Sequence, residues 1–386
     1  MASRLHSSTR EIVPAPQHAL AVRSAALVAR GLRDLARDSN WLIKKVFTGR
    51  APHLAVSAAG QFCAVSPAVR HGAERIALYD IELSRPVMML PEPDVPSTSS
   101  AESQAAFAWS ATGRYLIAAW GGWQPQLHAF DFHGKLSLDS FGRFSHFPEN
   151  LAWSDSGRYF ASACGGGAEA RVRLWELENG SKNGVPFSGA SLSEAGGPRS
   201  FDDWFGGQPL DAESGDEGAF SGFGRSAFSP DDQTLASVVE VEGEWADDSV
   251  VLLDVPTLRR QRAFQAQGRI TGLAWTFDSR QLIYCSAGQA YRIAAVNPET
   301  ESLPFGAELV ACHPHLPISL CFSSWLRNSA KGRLFVADLN NLAVFDEYAA
   351  EGVADLRWSL DGSKAYAVTA DGLAYIYEPP LLSTLG

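Results

Sequence analysis

The stretch LAWSDSGRYFASACGGGAEARVRLWELENG, residues 151–180, decides the fold. It opens with a short apolar run that ends in Trp153-Ser154, passes through an acidic turn that closes on glycine, and continues into a second apolar run. A glycine-rich loop then leads to a third apolar run, which ends in Trp175-Glu176. Short apolar runs separated by turn residues are typical of β-strands, so the stretch predicts three consecutive strands of one antiparallel sheet.

Both paired elements of this stretch recur along the chain, which indicates a repeat architecture. The first element is an aromatic or aliphatic residue followed by serine or threonine, and it recurs as Val56-Ser57, Trp109-Ser110, Phe228-Ser229, Trp275-Thr276 and Trp358-Ser359. The second element places an apolar residue before an acid or amide, and it recurs as Tyr79-Asp80, Phe130-Asp131, Leu253-Asp254, Val296-Asn297 and Tyr377-Glu378.

One further unit is needed to fill the chain between Phe228 and Trp358, where the gap is too long for two units and fits three. We assign it to ISLCFSSWLRNSAKGRLFVADLNNLAVFDE, with Phe322-Ser323 and Phe345-Asp346 as its paired elements. The chain then contains seven units, and the motif HPHLP with His313 and His315 falls in a connection between two of them.

A looser fourth strand follows the third in most units, and a lone four-stranded sheet cannot bury both of its faces. Radial packing against neighbouring sheets buries them, and closing the ring protects the edges. The last unit stops soon after Tyr377, one strand short, while Asn40–Gly49 is a strand-like segment before the first unit. The sequence therefore predicts an all-β, seven-bladed β-propeller of four-stranded antiparallel blades, closed by this N-terminal strand.

Residues 40–380 resemble the WD40 repeat family in the pattern W-S-x-x-G, an apolar run and a terminal aromatic-acid pair. The Gly-His dipeptide of that family is absent, and only Trp175-Glu176 approaches its terminal Trp-Asp. The resemblance implies a divergent WD40-like propeller. The six-bladed TolB-like propellers have a similar turn and are the alternative fold.

Composition limits the classes of function. The chain has a formal net charge of −11, which disfavours nonspecific nucleic-acid binding because that requires clustered cations. Five cysteines without a C-x-x-C motif predict neither a disulfide framework nor a zinc knuckle, and no apolar run is long enough to span a membrane. We expect a reduced, cytoplasmic protein that reaches membranes only through a partner.

Long insertions rich in acidic and aromatic residues are predicted on one face of the ring, where blade-to-blade connections and second-to-third strand loops meet. The largest spans residues 188–222. The candidate partner-binding residues in these insertions are Trp120, Trp123, Trp204, Phe205, Trp245, Asp202, Asp203 and Glu244. Rigid aromatic anchors among charges favour protein docking. The alternative is that the aromatic residues fold back onto the propeller as a private core.

An N-terminal arm, residues 1–39, precedes the predicted propeller of residues 40–386. Residues 17–38 show helical periodicity, with Leu27 on the apolar side and Arg30 on the basic side. This predicts an amphipathic helix that packs against its own propeller or docks on another subunit. A transit peptide or membrane-surface helix is the third interpretation.

No catalytic set stands out in the sequence. His313 and His315 lack a nearby acid, which makes them a weak metal-binding signal, and Asn150 and Asp355 are the polar residues at the starts of the innermost strands. We therefore expect no metal and no cofactor, and interpret the chain as a non-enzymatic protein-interaction scaffold, a subunit of a larger assembly. The alternative function is a propeller enzyme of hydrolase or lactonase type with a small-molecule site in the central channel.

Overall fold

The computed structural model describes residues 40–51, 53–57, 60–66, 76–90, 104–121, 125–132, 139–144, 147–148, 150–164, 171–176, 193–196, 220–241, 247–255, 257–296, 299–324 and 331–379. For some strand residues, Trp120 among them, it describes the backbone and not the side chain. The described residues contain strands and turns and no helix, so the helix predicted for the N-terminal arm lies outside them.

The described residues form seven four-stranded antiparallel sheets, which confirms the predicted fold class. β1 (Trp41–Lys45) precedes the first blade, which contains β2 (His53–Val56), β3 (Phe62–Ser66), β4 (Ala77–Asp80) and β5 (Arg85–Met89). The second contains β6 (Gln104–Trp109), β7 (Tyr115–Gly121), β8 (Gln126–Asp131) and β9 (Asp139–Arg143). The third contains β10 (Asn150–Trp153), β11 (Tyr159–Cys164), β12 (Arg171–Glu176) and β13 (Ser193–Gly196).

The remaining blades follow in chain order. The fourth contains β14 (Phe220–Phe228), β15 (Thr234–Val241), β16 (Ser249–Asp254) and β17 (Arg260–Gln265). The fifth contains β18 (Ile270–Trp275), β19 (Gln281–Ser286), β20 (Gln289–Ala294) and β21 (Thr300–Ser302). The sixth contains β22 (Leu309–Cys312), β23 (Ile318–Ser324), β24 (Lys331–Asp338) and β25 (Val344–Glu351), and the seventh contains β26 (Val353–Trp358), β27 (Ala365–Thr369) and β28 (Leu373–Tyr377).

The seventh blade takes its outer strand from the start of the propeller, as the sequence predicts. Its strand order is β1-β28-β27-β26, with Trp41 opposite Tyr377 and Lys45 opposite Leu373. The backbone N–H of Glu378 donates to the Asn40 carbonyl at 3.1 Å and extends the same pairing. The two ends of the ring are therefore held in a single sheet.

The recurring serine or threonine shapes the turn between the first two strands of a blade. Its hydroxyl oxygen accepts the backbone N–H five residues later, as in Ser154 with Tyr159 at 3.0 Å and Ser359 with Lys364 at 3.0 Å. The third residue after it adopts a positive φ, at Gly60, Gly113, Gly157, Asp232, Ser279 and Gly362. This left-handed position explains why glycine recurs there.

The recurring tryptophan joins neighbouring blades. Its indole Nε1–H donates to the backbone carbonyl of an alanine in the preceding blade, at 3.0–3.1 Å. The four pairs are Trp109 with Ala55, Trp153 with Ala108, Trp275 with Ala227, and Trp358 with Ala311. The hydrophobic clusters likewise combine adjacent blades, as where Leu174 packs with Leu235 and Val251. The tryptophan is thus an element of packing between blades.

The predicted strand assignment in the sixth blade is wrong. Cys312-His313 takes the place of the tryptophan-serine pair, and Asp338 ends the third strand, whereas Phe322-Ser323 lies in β23 and Phe345-Asp346 in β25. The HPHLP motif is therefore the turn between the first two strands and not a connection between blades. A histidine at the serine position does not fit the sequence pattern, so the pattern places the sixth unit one strand too late in the chain.

The predicted insertion of residues 188–222 also needs correction. The outer strand β13 and the first residues of β14 lie within this range, so it is not one continuous connection. β13 pairs with β12 through Leu174 opposite Ser193 and Arg171 opposite Gly196. Its sequence, SEAG, has no apolar alternation by which a strand could be recognised.

Candidate functional surfaces: the central channel and the outer rim

The residues predicted to bind partners are not tested by the structure. Trp123, Trp204, Phe205, Trp245, Asp202, Asp203, Glu244, Leu27 and Arg30 lie outside the described residues, as does the side chain of Trp120. The backbone of Trp120 lies in β7, opposite Gln126 of β8. The docking face built from these residues therefore stays a prediction.

The innermost strands of all seven blades line a central channel with a cavity volume of about 610 Å³. The residue before the tryptophan-serine position is the same in six blades: Ala55, Ala108, Ala152, Ala227, Ala274 and Ala311. In the seventh blade this position is Arg357. We call these seven residues the alanine ring. Small side chains let adjacent inner strands approach closely, and Arg357 is the exception.

Asn150 and Asp355, which the sequence singles out, hold neighbouring blades together. Asn150 Oδ1 accepts the backbone N–H of Ser226 in the fourth blade at 2.9 Å. Asp355 Oδ2 accepts the backbone N–H of Val56 in the first blade at 3.0 Å. The first and fourth blades lack the recurring tryptophan, so these two side chains supply a polar contact between blades where the indole bond is missing.

Charged groups in the channel act on one another without forming close ion pairs. Burial raises the pKa of the Asp355 carboxyl, and the opposing charges of Arg357 and Arg225 lower it in part. Asp155 is exposed at the turn of the third blade, yet the surrounding walls remove enough bulk water to raise the pKa of its carboxyl, against the opposing effect of Arg357. Among the described residues, neither arginine has an ion-pair partner within hydrogen-bonding distance.

His313 is a buried structural residue. Its Nδ1 accepts the backbone N–H groups of His315 and Leu316, both at 3.0 Å, so the proton lies on Nε2, which donates to the Gly362 carbonyl at 3.1 Å. Burial lowers the pKa of His313 to about 4. Its ring also packs edge-on against Trp358 at 4.7 Å. Both ring nitrogens are in use, so neither is free to bind a metal.

The described part of the chain places no three His, Cys, Asp or Glu side chains where they could share a metal ion. It also has no helix of the length and apolar character that a bilayer crossing needs.

Exposed apolar side chains lie on the outer strand of the seventh blade and on the outer strand and preceding turn of the first blade. We call this set the rim patch: Leu42, Ile43, Leu83, Val87, Met88 and Met89. Exposure reaches 51% at Leu42, 59% at Leu83 and 50% at Met89, and every residue of β5 is exposed. The Lys44 ammonium donates to the Glu82 carbonyl, and Lys364 pairs with the Glu82 carboxylate at 2.6 Å, so the two blades are fixed relative to each other.

The sequence pattern predicts the fourth strand PVMML and does not predict its exposure. An apolar strand with both faces exposed is indistinguishable by composition from a buried strand. Only the position of β5 as the outer strand of its blade shows that the patch faces solvent.

No family model matches the chain, and no curated protein does. Many solved chains share the fold. One of them, in the crystal structure of the mitotic checkpoint complex, aligns with 98% of this chain and 99% of its own length, with a TM-score of 0.58 and 11% sequence identity. At this identity the likeness establishes a common fold.

Proposed function

We propose that this propeller is a non-enzymatic scaffold that binds a protein partner as a subunit of a larger assembly. The observation that carries the proposal is the rim patch, which holds six of the eight large apolar side chains that are exposed among the described residues. Exposed apolar side chains that gather on one part of a domain surface mark interaction surfaces. The similar chain from the mitotic checkpoint complex belongs to a multi-protein assembly, which supports the same class of role.

The geometry of β5 favours a partner that docks through side chains. Pro86 has no N–H to donate, and the pairing of β5 with β4 shifts register between Met88 and Pro86. Both features disfavour the addition of a further strand to this edge. Leu42 of β1 and Met89 of β5 instead offer exposed apolar side chains on the outer strands of two neighbouring blades, which the Lys44–Glu82 contact joins. Exposed apolar side chains with polar groups nearby suit the apolar face of a partner helix.

The other predicted contacts extend this proposal. The acidic, aromatic insertions with Trp123, Trp204 and Trp245 form a second docking face, and the arm with Leu27 and Arg30 forms a third contact. WD40 family membership and a cytoplasmic location are part of the same proposal.

The alternative, a hydrolase or lactonase with its site in the channel, has weaker support. Such a site needs several polar side chains free to meet a substrate. Asn150 and Asp355 are instead bonded to backbone N–H groups of neighbouring blades.

The test compares three full-length proteins as bait in extracts of the host: the wild type, Leu42→Asp combined with Met89→Asp, and the control Val296→Asp. Val296 is 80% exposed on the fifth blade, away from the rim patch, so it controls for the loss of an exposed apolar residue. We expect a stoichiometric partner, identified by mass spectrometry, with the wild type and the control and not with the double variant. Equal capture by all three would contradict the role of the rim patch.

A further inference from the structure

The arginine of the alanine ring is the starting observation. Arg357 occupies a position at which the other six blades carry alanine, and its side chain is exposed within the channel. A guanidinium with no ion-pair partner among the described residues does not contribute to the packing of the inner strands as the alanines do. Its charge is therefore available to a ligand.

A second guanidinium reaches the same region from another blade. Arg225 lies at the start of the inner strand of the fourth blade, is exposed, and lines the same cavity. Both arginines act electrostatically on the carboxyl of Asp355. That half-buried carboxyl is held by the Val56 N–H at 3.0 Å, so the two cations lie near a carboxylate that is already engaged in a contact between blades.

An exposed carboxylate of the channel lies within electrostatic range of Arg357. Asp155 is in the turn that follows the inner strand of the third blade, lines the channel, and is exposed. Its carboxyl responds to Arg357 and, more weakly, to His315 of the sixth blade. The channel thus combines the guanidinium groups of Arg357 and Arg225 with the carboxylates of Asp155 and Glu240, of which Asp155 is the more exposed and can accept hydrogen bonds from a ligand.

We propose that the channel binds a small zwitterion, an amino acid or short peptide, with its carboxylate between Arg357 and Arg225 and its ammonium group on Asp155. Guanidinium groups bind carboxylates through paired hydrogen bonds, and a carboxylate binds an ammonium group. A ligand with only negative charge would be repelled by Asp155, and one with only positive charge by the arginines. The cavity of about 610 Å³ accommodates a molecule of this size.

The test is isothermal titration calorimetry of the full-length protein with the twenty amino acids and a set of dipeptides. Acetate and inorganic phosphate are titrated as anions that lack an ammonium group. We expect saturable binding of at least one amino acid or dipeptide and much weaker binding of the two anions. Arg357→Ala gives the seventh blade the residue that the other six carry, so the fold is retained and affinity falls at least tenfold. Arg262→Ala, on the outer strand β17, is the control and leaves affinity unchanged.

Asp155→Asn distinguishes a ligand contact from a general effect of charge. We expect this variant to weaken amino-acid binding while strengthening the binding of acetate, because the repulsion of simple anions is removed. If no zwitterion binds the wild type, or if Arg357→Ala leaves its affinity unchanged, the proposal is wrong. Binding of phosphate with equal strength to that of every zwitterion would also overturn it. Partner capture through the rim patch is independent of these outcomes.

Discussion

At the scale of single residues, one turn position explains much of the repeat. The third residue after the recurring serine or threonine has φ near +70° at Gly60, Gly113, Gly157 and Gly362. The backbone requirement is shared, but the surroundings differ. A Cβ at Gly157 would meet nothing within 4 Å, whereas a Cβ at Gly362 would lie 2.3 Å from the His313 ring.

This difference predicts that glycine-to-alanine substitution lowers the free energy of unfolding by different amounts at the two positions. Gly157→Ala introduces only backbone strain, for which we expect a loss of about 1–2 kcal/mol in the free energy of unfolding. Gly362→Ala adds a clash with the buried His313 ring, and we expect it to lose roughly 1–3 kcal/mol more. Urea unfolding of both variants measures the difference, and equal losses would show that the contact with His313 is unimportant.

Buried histidines predict a dependence of stability on pH. Burial lowers the pKa of His128 and of His313 to about 4, from an ordinary value of 6.5. Between these values the unfolded chain binds more protons than the folded chain, so stability is complete above pH 6.5 and is lost as the pH falls towards 4. Each histidine contributes roughly 3 kcal/mol to this loss.

His128 allows this to be measured, because neither of its ring nitrogens has a hydrogen-bond partner among the residues that the structure describes. We expect His128→Phe to reduce the loss of unfolding free energy between pH 7 and pH 5 while leaving the fold intact by circular dichroism. A variant with the same pH dependence as the wild type would contradict the assignment.

At the scale of strands and blades, polar contacts between inner strands accompany the apolar packing. The Trp358 indole N–H donates to the Ala311 carbonyl at 3.0 Å, while the Asn150 and Asp355 side chains bond to the blades that lack tryptophan. Six of the seven junctions between inner strands are thereby linked through one of these side chains. A pattern search recognises the tryptophan and not its substitutes, which is why the contacts of Asn150 and Asp355 could not be predicted.

The indole bond predicts the effect of Trp358→Phe. The aromatic ring is retained and the Nε1–H is lost, so the carbonyl of the half-buried Ala311 loses a donor. We expect the free energy of unfolding to fall by about 1–2 kcal/mol. Urea unfolding provides the measurement, with retained near-ultraviolet circular dichroism as the control for packing. Unchanged stability would mean that the indole acts through packing alone.

The sequence predicts blades well where local chemistry repeats and poorly where it does not. Six units are recognisable from an aromatic or aliphatic residue followed by serine or threonine, and four of these six have glycine at the turn. In the sixth blade His313 accepts the turn N–H groups in place of serine, and the predicted assignment there is one strand late. The strand β13 has no apolar residue besides Ala195, so its existence depends on pairing with β12, which is a tertiary property.

At the scale of the whole molecule, β1 links fold and function. It completes the seventh blade, buries Trp41 against Tyr377 at 4.9 Å, and presents Leu42 and Ile43 at the rim patch. The closure is predictable from the missing strand at the end of the chain. The patch is not, because exposure depends on how the outer strands of two blades are placed.

Ring closure predicts different results for two truncations. A chain that begins at Asn40 retains β1, and we expect its cooperative unfolding to match that of the full chain within about 1 kcal/mol. A chain that begins at Val46 lacks β1 and the buried Trp41 side chain, and we expect a loss of at least about 3 kcal/mol. Calorimetry compares them, and equal stability of the two chains would contradict closure by β1.

The central claim is that a protein partner docks on the rim patch. Hydrogen–deuterium exchange of the full-length protein, with and without the partner captured by the wild type, tests it most directly. The account predicts slower exchange on binding in peptides that cover residues 41–45 and 83–89, with no change around Val296. Slower exchange confined to other parts of the ring, with those peptides unaffected, would contradict it.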